Sequence, residues 1–419
     1  MFSRDTKSSY IQTWNLTNQF EAGGSTVVTL SYMGQRGIHL LSPLLGINNP
    51  DPVAYGDLLE EGGDPQELIE DTFGRVDNQG NPILRPRVDY LRPNPLAGDV
   101  SLAGLTDSTS TYHAGTAAVD RRFRGGFGFR ANYSWAKSID TSSDASLNAP
   151  AVTAMWGLTR IQNPRDLRSN RSVSTFDVRH RINFALTSWD LPFGRRKRLW
   201  TNAGPKTNAV VGNWSVTGNM FLSSGVPWAV ILGNTDSNGV PSGAVGNERV
   251  RPDIIPGVPL RNPRWSKNVA NDVPYVNPEA FARPDFGQIG NSPRTLDYFR
   301  LPWRFSSNLS LFKEIRPWKE RSRYFQLRGE FFNVTNTATF SWAPGGTSDA
   351  LFSSAPPVCR TCVKLGGPMP YLFNLGGATF PVGTRENILA TSYNQNFGKL
   401  WRDRNGPGRI VQLAFRFYF

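Results

Sequence analysis

Apolar and polar residues alternate with period two in several stretches of this chain, the spacing of a strand with one greasy and one wet face. In Gly126–Lys137 the odd positions Phe127, Phe129, Ala131, Tyr133 and Trp135 are apolar, while Gly128, Arg130, Asn132 and Ser134 between them are small or polar. Asp177–Asp190 sets Val178, His180, Ile182, Phe184 and Leu186 against Asp177, Arg179, Arg181, Asn183 and Thr187. Tyr324–Asn333 sets Phe325, Leu327 and Phe331 against Gln326, Arg328 and Glu330. In Gly408–Phe419, Val411, Leu413, Phe415, Phe417 and Phe419 alternate with Gln412, Ala414, Arg416 and Tyr418. Weaker alternation marks Tyr10–Gln19, Thr26–Gly34, Thr111–Arg121, Asn213–Ser224 and Arg304–Lys313. The pattern predicts nine strands, each about long enough to cross a membrane when tilted.

The connections between them sort by length. Phe20–Ser25, Arg122–Gly125, Leu191–Gly212 and Glu314–Arg323 are short; Gln35–Ser110, Ser138–Phe176, Gly225–Trp303 and Val334–Pro407 are long and rich in Pro, Gly, Asn and Asp. Short and long alternate strictly. A soluble sandwich has no reason to do this, whereas outer-membrane barrels keep short turns on the periplasmic side. The expectation is an all-β fold, a transmembrane antiparallel β-barrel with long extracellular loops. Arg130, Asn132, Arg179, Arg181, Gln326, Arg328 and Glu330 are then expected to face the lumen. The last strand runs inward, leaving Phe419 at the periplasmic boundary, where aromatic rings form an interfacial girdle. Backbone groups in lipid must all be paired, so the sheet must close. Nine is an odd number, and bacterial barrels have even counts. Further strands are therefore expected on the N-terminal side.

Composition changes this picture little. Hydrophobic residues make up 39%, and no long apolar run suits a transmembrane helix. Gly (40) and Pro (31) suit short strands joined by irregular loops. A net charge of +13 raises nucleic acid as a partner, but the basic residues are scattered and accompany no recognition motif, so none is expected. The opening residues hold no apolar signal stretch. That fits a cytoplasmic protein or a piece of a longer precursor, and the barrel pattern selects the second.

Sites of chemistry are sparse. The chain has no phosphate-cradling GxxxxGK[ST], no HExxH and no GxSxG, and His39, His113 and His180 are too widely spaced to suggest a metal centre. Ser134–Lys137 and Ser310–Lys313 have serine-acylase spacing, but on a strand an offset of three puts the two side chains on opposite faces. No enzyme, metal or cofactor is expected. Cys359 and Cys362 sit among Pro356, Pro357, Gly366 and Gly367, a loop setting that suits a local disulfide better than a redox helix or a metal site.

Several stretches together resemble the Oar-like TonB-dependent transporters of Gram-negative bacteria. They are RRFRGGFGFRANYSWAKSIDTSSD (Arg121–Asp144), NPRDLRSNRSVSTFDVRHRINFALTSWDLPFG (Asn163–Gly194) and GNWSVTGNMFLSSGVPW (Gly212–Trp228). VNPEAFARP (Val276–Pro284), NLSLFKEIRPWKERSRYFQLRGEFFNVTNTATF (Asn308–Phe340) and the tail RIVQLAFRFYF (Arg409–Phe419) continue the likeness, which begins at YIQTWNLTNQF (Tyr10–Phe20). The resemblance implies a plugged barrel of roughly 22 strands, of which this chain, 1–419, would supply the last nine. It also implies a signal peptide, a regulatory-like domain and a plug, none of them encoded here. The implied partners are outer-membrane lipid, the barrel-assembly machinery, the TonB complex through the N-terminal part, and a large solute of unknown identity. Phe415, Phe417 and Phe419 match the family's ending and are expected to act as the assembly signal. An outer-membrane adhesin or structural barrel, and a soluble carbohydrate-binding β protein, are the competing readings.

Overall fold

The computed structural model describes residues 3–42, 45–65, 67–98, 100–102, 104–143, 162–163, 166–195, 197–232, 251–268, 273–282, 284, 289–318, 322–342, 373–375, 378–380, 398–402 and 408–419. Its main sheet is a meander of nine long strands: β1 (Tyr10–Ala22), β2 (Thr26–Leu40), β3 (Ser108–Arg124), β4 (Phe127–Asp140), β5 (His180–Asp190), β6 (Trp214–Ser223), β7 (Arg304–Ile315), β8 (Tyr324–Phe332) and β9 (Ile410–Tyr418). Each pairs antiparallel with its neighbour in sequence, and a two-residue strand, Ser172–Val173, adds to the top of β4. All nine expected segments are therefore strands. Among the described residues nothing pairs with the outer edges of β1 and β9, so the sheet is open.

Two of the tight connections explain themselves. Gly23 and Gly24 have φ of 69° and 64°, and Gly125 and Gly126 have 66° and 84°. Hairpins whose twist matches the strands need left-handed backbone at such positions, which glycine adopts without Cβ strain. The longer connections carry small secondary elements, including a helix over Pro52–Glu60 and short strand pairs such as Leu68–Glu70 with Leu84–Pro86.

β2, β3 and β4 run several residues past their expected upper ends, to Leu40, from Ser108 and to Asp140. Gly34, Gln35, Arg36 and Gly37 break the alternation on β2, yet they stay paired with His113, Tyr112, Thr111 and Ser110. Alternation records which face is greasy, and a strand leaving the apolar layer no longer needs it. At β5 the strand is shorter than expected: Asp177–Arg179 lie outside it, the Asp177 N–H closing a turn on the Ser174 carbonyl at 3.0 Å. The register of β5 also shifts between Leu186 and Trp189. This irregularity returns Trp189 to the apolar face, where its ring lies 6.3 Å from that of Phe127.

Among the described residues nothing covers the apolar face. Leu16, Leu413 and Phe415 are 71%, 83% and 62% exposed, and Trp135 is 59% exposed. Rings collect at two levels on it. At the upper level Tyr32 stacks with His113 and Tyr133 with His180, each tyrosine hydroxyl hydrogen-bonded to the histidine Nδ1 at 2.8 and 2.9 Å. At the lower level Phe127 meets Trp189, and Trp318, Phe325 and Phe417 cluster with centroids 5.0 to 5.7 Å apart. Trp135 and Phe127 are eight residues apart on β4, roughly 27 Å along the strand and about 20 Å in height if it is tilted. A bare apolar band of that height fits a bilayer interior.

Phe184 lies between the two levels on the apolar face, paired with Ala131 and Met220, while Asn183 on the polar face pairs with Asn132 and Phe221. Phe184→Arg should lower the stability of the membrane-inserted protein by about 2–4 kcal/mol, and Asn183→Arg by much less. Chemical denaturation of the two variants in lipid vesicles measures the difference; equal tolerance would refute the assignment of faces.

Candidate functional site

Two surfaces can do chemistry here, the polar face of the sheet and the cap built by the long connections above it. The polar face follows from strand periodicity alone. Arg130 and Asn132 on β4, Arg181 on β5, and Gln326, Arg328 and Glu330 on β8 all share it. It is a wall of hydroxyls and amides. Thr17 donates to Ser31 at 3.1 Å, Gln19 to Thr29 at 3.2 Å, and Asn308 to Asn219 at 3.1 Å. Its charges pair locally, with Arg130 2.7 Å from Asp120 and Arg328 in contact with Glu330. Such a surface can hydrogen-bond water or a polypeptide packed against it.

Arg179 is different. It stands above β5, and its guanidinium is drawn to Asp297 of the short strand Leu296–Arg300. Asp297 also receives Lys137 Nζ at 3.0 Å and Arg300 Nη2 at 3.0 Å. Burial pushes its carboxyl up, but hydrogen bonds from Lys137 and Arg300 and the charges of Arg179 and Lys137 outweigh that and hold it below the usual carboxylate range. Arg300 reaches on to Asp177 at 2.6 Å, and Asp177 accepts the Ser138 backbone N–H at 2.6 Å. Arg294, only 1% exposed at its side chain, contacts the equally enclosed Asp140 at the top of β4 and donates to Ser143 Oγ at 2.8 Å. Residues Arg294–Arg300 are thus strapped across the tops of β4 and β5 by three carboxylates.

Behind this strap the connections have a core of their own. Trp265 and Tyr275 pack edge to face at 4.8 Å, Tyr275 stacks on Phe299 at 5.2 Å, and Trp228, Leu296 and Val276 are almost fully buried with them. Phe340 and Leu400 join from the last long connection. Tyr275 donates to the Arg300 carbonyl at 2.8 Å, and burial raises its phenol against the opposing charge of Arg261. Arg251 is also enclosed. Burial, with Arg294 nearby, pushes its guanidinium down to about 9, so it remains charged at neutral pH beside Ser292 and Asn170.

This strap leaves no signal in the sequence. RTLDYFR (Arg294–Arg300) shows neither alternation nor a motif, and its partners lie more than a hundred residues away in sequence. The other expectations have definite places. Phe415 and Phe417 share the apolar face of β9 opposite Leu327 and Phe325, with Phe419 just beyond the strand. Ser134 and Ser310 lie on the polar face, and Lys137 and Lys313 on the other. Cys359 and Cys362 lie outside the described residues.

A family model described as an outer membrane beta barrel domain matches residues 1–369. No curated protein matches. Among solved structures the chain is similar to the outer membrane transporter YddB from Escherichia coli, with 7% sequence identity and a TM-score of 0.32. That alignment covers 80% of this chain and 30% of the transporter, so the chain spans less than a third of that protein's length.

The strap should be acid-sensitive. Because the folded Asp297 holds its proton less tightly than an unfolded aspartate, its stabilisation is present above about pH 4 and is lost as pH falls through the depressed value. Hydrogen exchange of residues 294–303 should therefore accelerate on acidification, and Asp297→Asn should show that acceleration already at neutral pH. Asp140→Ala, which leaves Arg294 buried without its carboxylate, should cost about 3–5 kcal/mol of local stability. Unchanged exchange in both variants would mean that the cap is held by its apolar core alone.

Proposed function

The chain belongs to the family of outer membrane beta barrel domains and resides in the outer membrane, and from that premise we propose that it is wall of an active transporter of the TonB-dependent, Oar-like kind. The open sheet carries this reading. Nine strands with an apolar outer face and a hydroxyl- and amide-lined inner face must pair at both free edges to survive in lipid. Additional strands, to a total of roughly 22, would enclose a lumen wide enough for a plug. The polar face suits a packed polypeptide, because its groups can bond peptide amides as readily as water. The cap would form part of the mouth where a large solute arrives. The long connections are then extracellular and the glycine hairpins periplasmic. Phe415, Phe417 and Phe419, on the strand reaching the periplasmic side, would serve the assembly machinery, with energy supplied by the TonB complex through segments outside these nine strands.

An adhesin or structural barrel would use the same wall without a plug. A photo-reactive residue in place of Asn132 or Asn219, both on the polar face, distinguishes the two in living cells. Capture of a plug polypeptide, within the parent chain or in trans, that weakens when the inner-membrane potential is collapsed is the expected result. No captured polypeptide would overturn the transporter reading.

A further inference from the structure

We propose that the apolar face of β2–β4 binds one phosphorylated lipid, its acyl chain in a groove over Gly115 and Ala117 and its phosphate against Arg36 and Arg171. This inference rests on the apolar face meeting lipid; it does not require a plug or energised transport.

The register places side chains on this face in rows. Leu16, Tyr32, Gly115 and Trp135 form one row, and Asn18, Leu30, Ala117 and Tyr133 the next one down. The β3 column is therefore Gly then Ala, flanked by tall side chains on β2 and on β4. Between them lies a groove of about 430 Å³, lined almost wholly by apolar atoms. A Cβ built on Gly115 would meet nothing within 4 Å, so the space is open to the outside and not filled from within.

Two rows higher stand Gln12, Arg36 and Thr111. Arg36 is exposed, and among the described residues it has no acidic partner. Arg171 lies over the same edge of the sheet, bonding Thr109 Oγ1 at 3.0 Å and Thr111 Oγ1 at 3.3 Å, hydroxyls on the same face as His113 and Gly115. The nearby Lys137, by contrast, is already committed to Asp297. Two cations thus stand where the apolar layer ends, about 13 Å along β2 from Tyr32. Between them and the groove lie the Tyr32–His113 pair and the indole of Trp14, groups at home at a lipid interface.

Charge above and an apolar slot below select an amphiphile with an anionic head and at least one chain. A guanidinium pair favours phosphate over a zwitterion whose own cation opposes it. A second copy of the chain would dock by a free sheet edge, and the groove lies on a face, two strands in from β1. The ring flanks also distinguish the groove from the rest of the face, where lipid contact needs no shaped slot.

The test uses the whole protein assembled in the outer membrane, extracted in mild detergent, stripped of lipid and examined by native mass spectrometry. Phosphatidic acid and phosphatidylcholine are the probes, with inorganic phosphate as competitor. One phosphatidic acid should be retained per chain, preferred over phosphatidylcholine by at least about tenfold. Gly115→Leu, whose Cβ meets no atom of the described residues within 4 Å and whose side chain would occupy the groove, should abolish retention of both lipids while leaving heat-modifiable mobility unchanged. The double variant Arg36→Glu with Arg171→Glu should lose the preference. Inorganic phosphate should not compete; if it does, the site is a phosphate site and the lipid proposal fails. It also fails if the unmodified protein shows no preference, or if Gly115→Leu retains lipid as the parent does. Should Gly115→Leu not assemble, the arginine variant decides alone. Absence of the parent protein from the outer-membrane fraction would instead refute the wall reading on which the groove depends.

Discussion

Everything in this molecule depends on one requirement: inside hydrocarbon, each backbone N–H and C=O must find its partner within the protein. An unmet group there costs several kcal/mol, with no water to take the bond. An antiparallel meander meets the requirement strand by strand, from β1 to β9, with each strand bonded to the one before it. Alternation of faces is then forced, since successive side chains of a strand point opposite ways. The register shift in β5 shows how strictly the faces are kept. An extra residue would have turned Trp189 inward, and the irregularity near Leu186 returns its ring to the side of Phe127.

Above the apolar layer the requirement changes, and so does the architecture. Long connections there can be wet, so nothing obliges them to pair in a ladder. They are ordered instead by burying a core around Trp265, Tyr275 and Phe299, and by fastening Arg294 and Arg300 to Asp140 and Asp177. Buried charges are expensive unless matched, and these are matched one to one or nearly so. Asp297 takes three cations, Lys137 from β4, Arg179 from just before β5 and Arg300 from its own segment. The cap is therefore continuous with the sheet at Lys137, Asp140 and Arg179, and a change of loop position would have to break ion pairs at the rim.

The wall was legible in the sequence because its rule is local. Period two in Phe127–Trp135 or Val411–Phe417 needs only neighbours to be recognised, and the alternation of short and long connections marks which end of the sheet carries the long loops. The upper ends of β2 and β3 were not legible for the same reason: past the apolar layer both faces are wet and the period vanishes, although pairing continues. The strap was illegible in principle. Asp140, Asp177, Arg294 and Arg300 look like ordinary loop charges until the fold brings residues more than a hundred positions apart together. His180 stands among the greasy residues of its strand and His113 in a weakly alternating one, and only the register reveals a tyrosine hydroxyl beside each ring.

Glycine on the apolar face marks where that face is more than a solvent for lipid. A surface that only has to be greasy gains from any large apolar side chain, and glycine in a strand interior weakens the strand with nothing in return. Two glycines nevertheless stand on this face within a few residues of each other in space. Gly34 has a packing reason, since a Cβ there would lie 2.2 Å from the indole of Trp14, which covers it. Gly115 has none: among the described residues no atom lies within 4 Å of where its Cβ would stand. The neighbouring Tyr32, Leu30, Trp135 and Tyr133 are large, so the gap is not a general thinning of the face but a slot one strand wide. Because folding alone gives no reason to leave it empty, the slot points to something that comes from outside the chain.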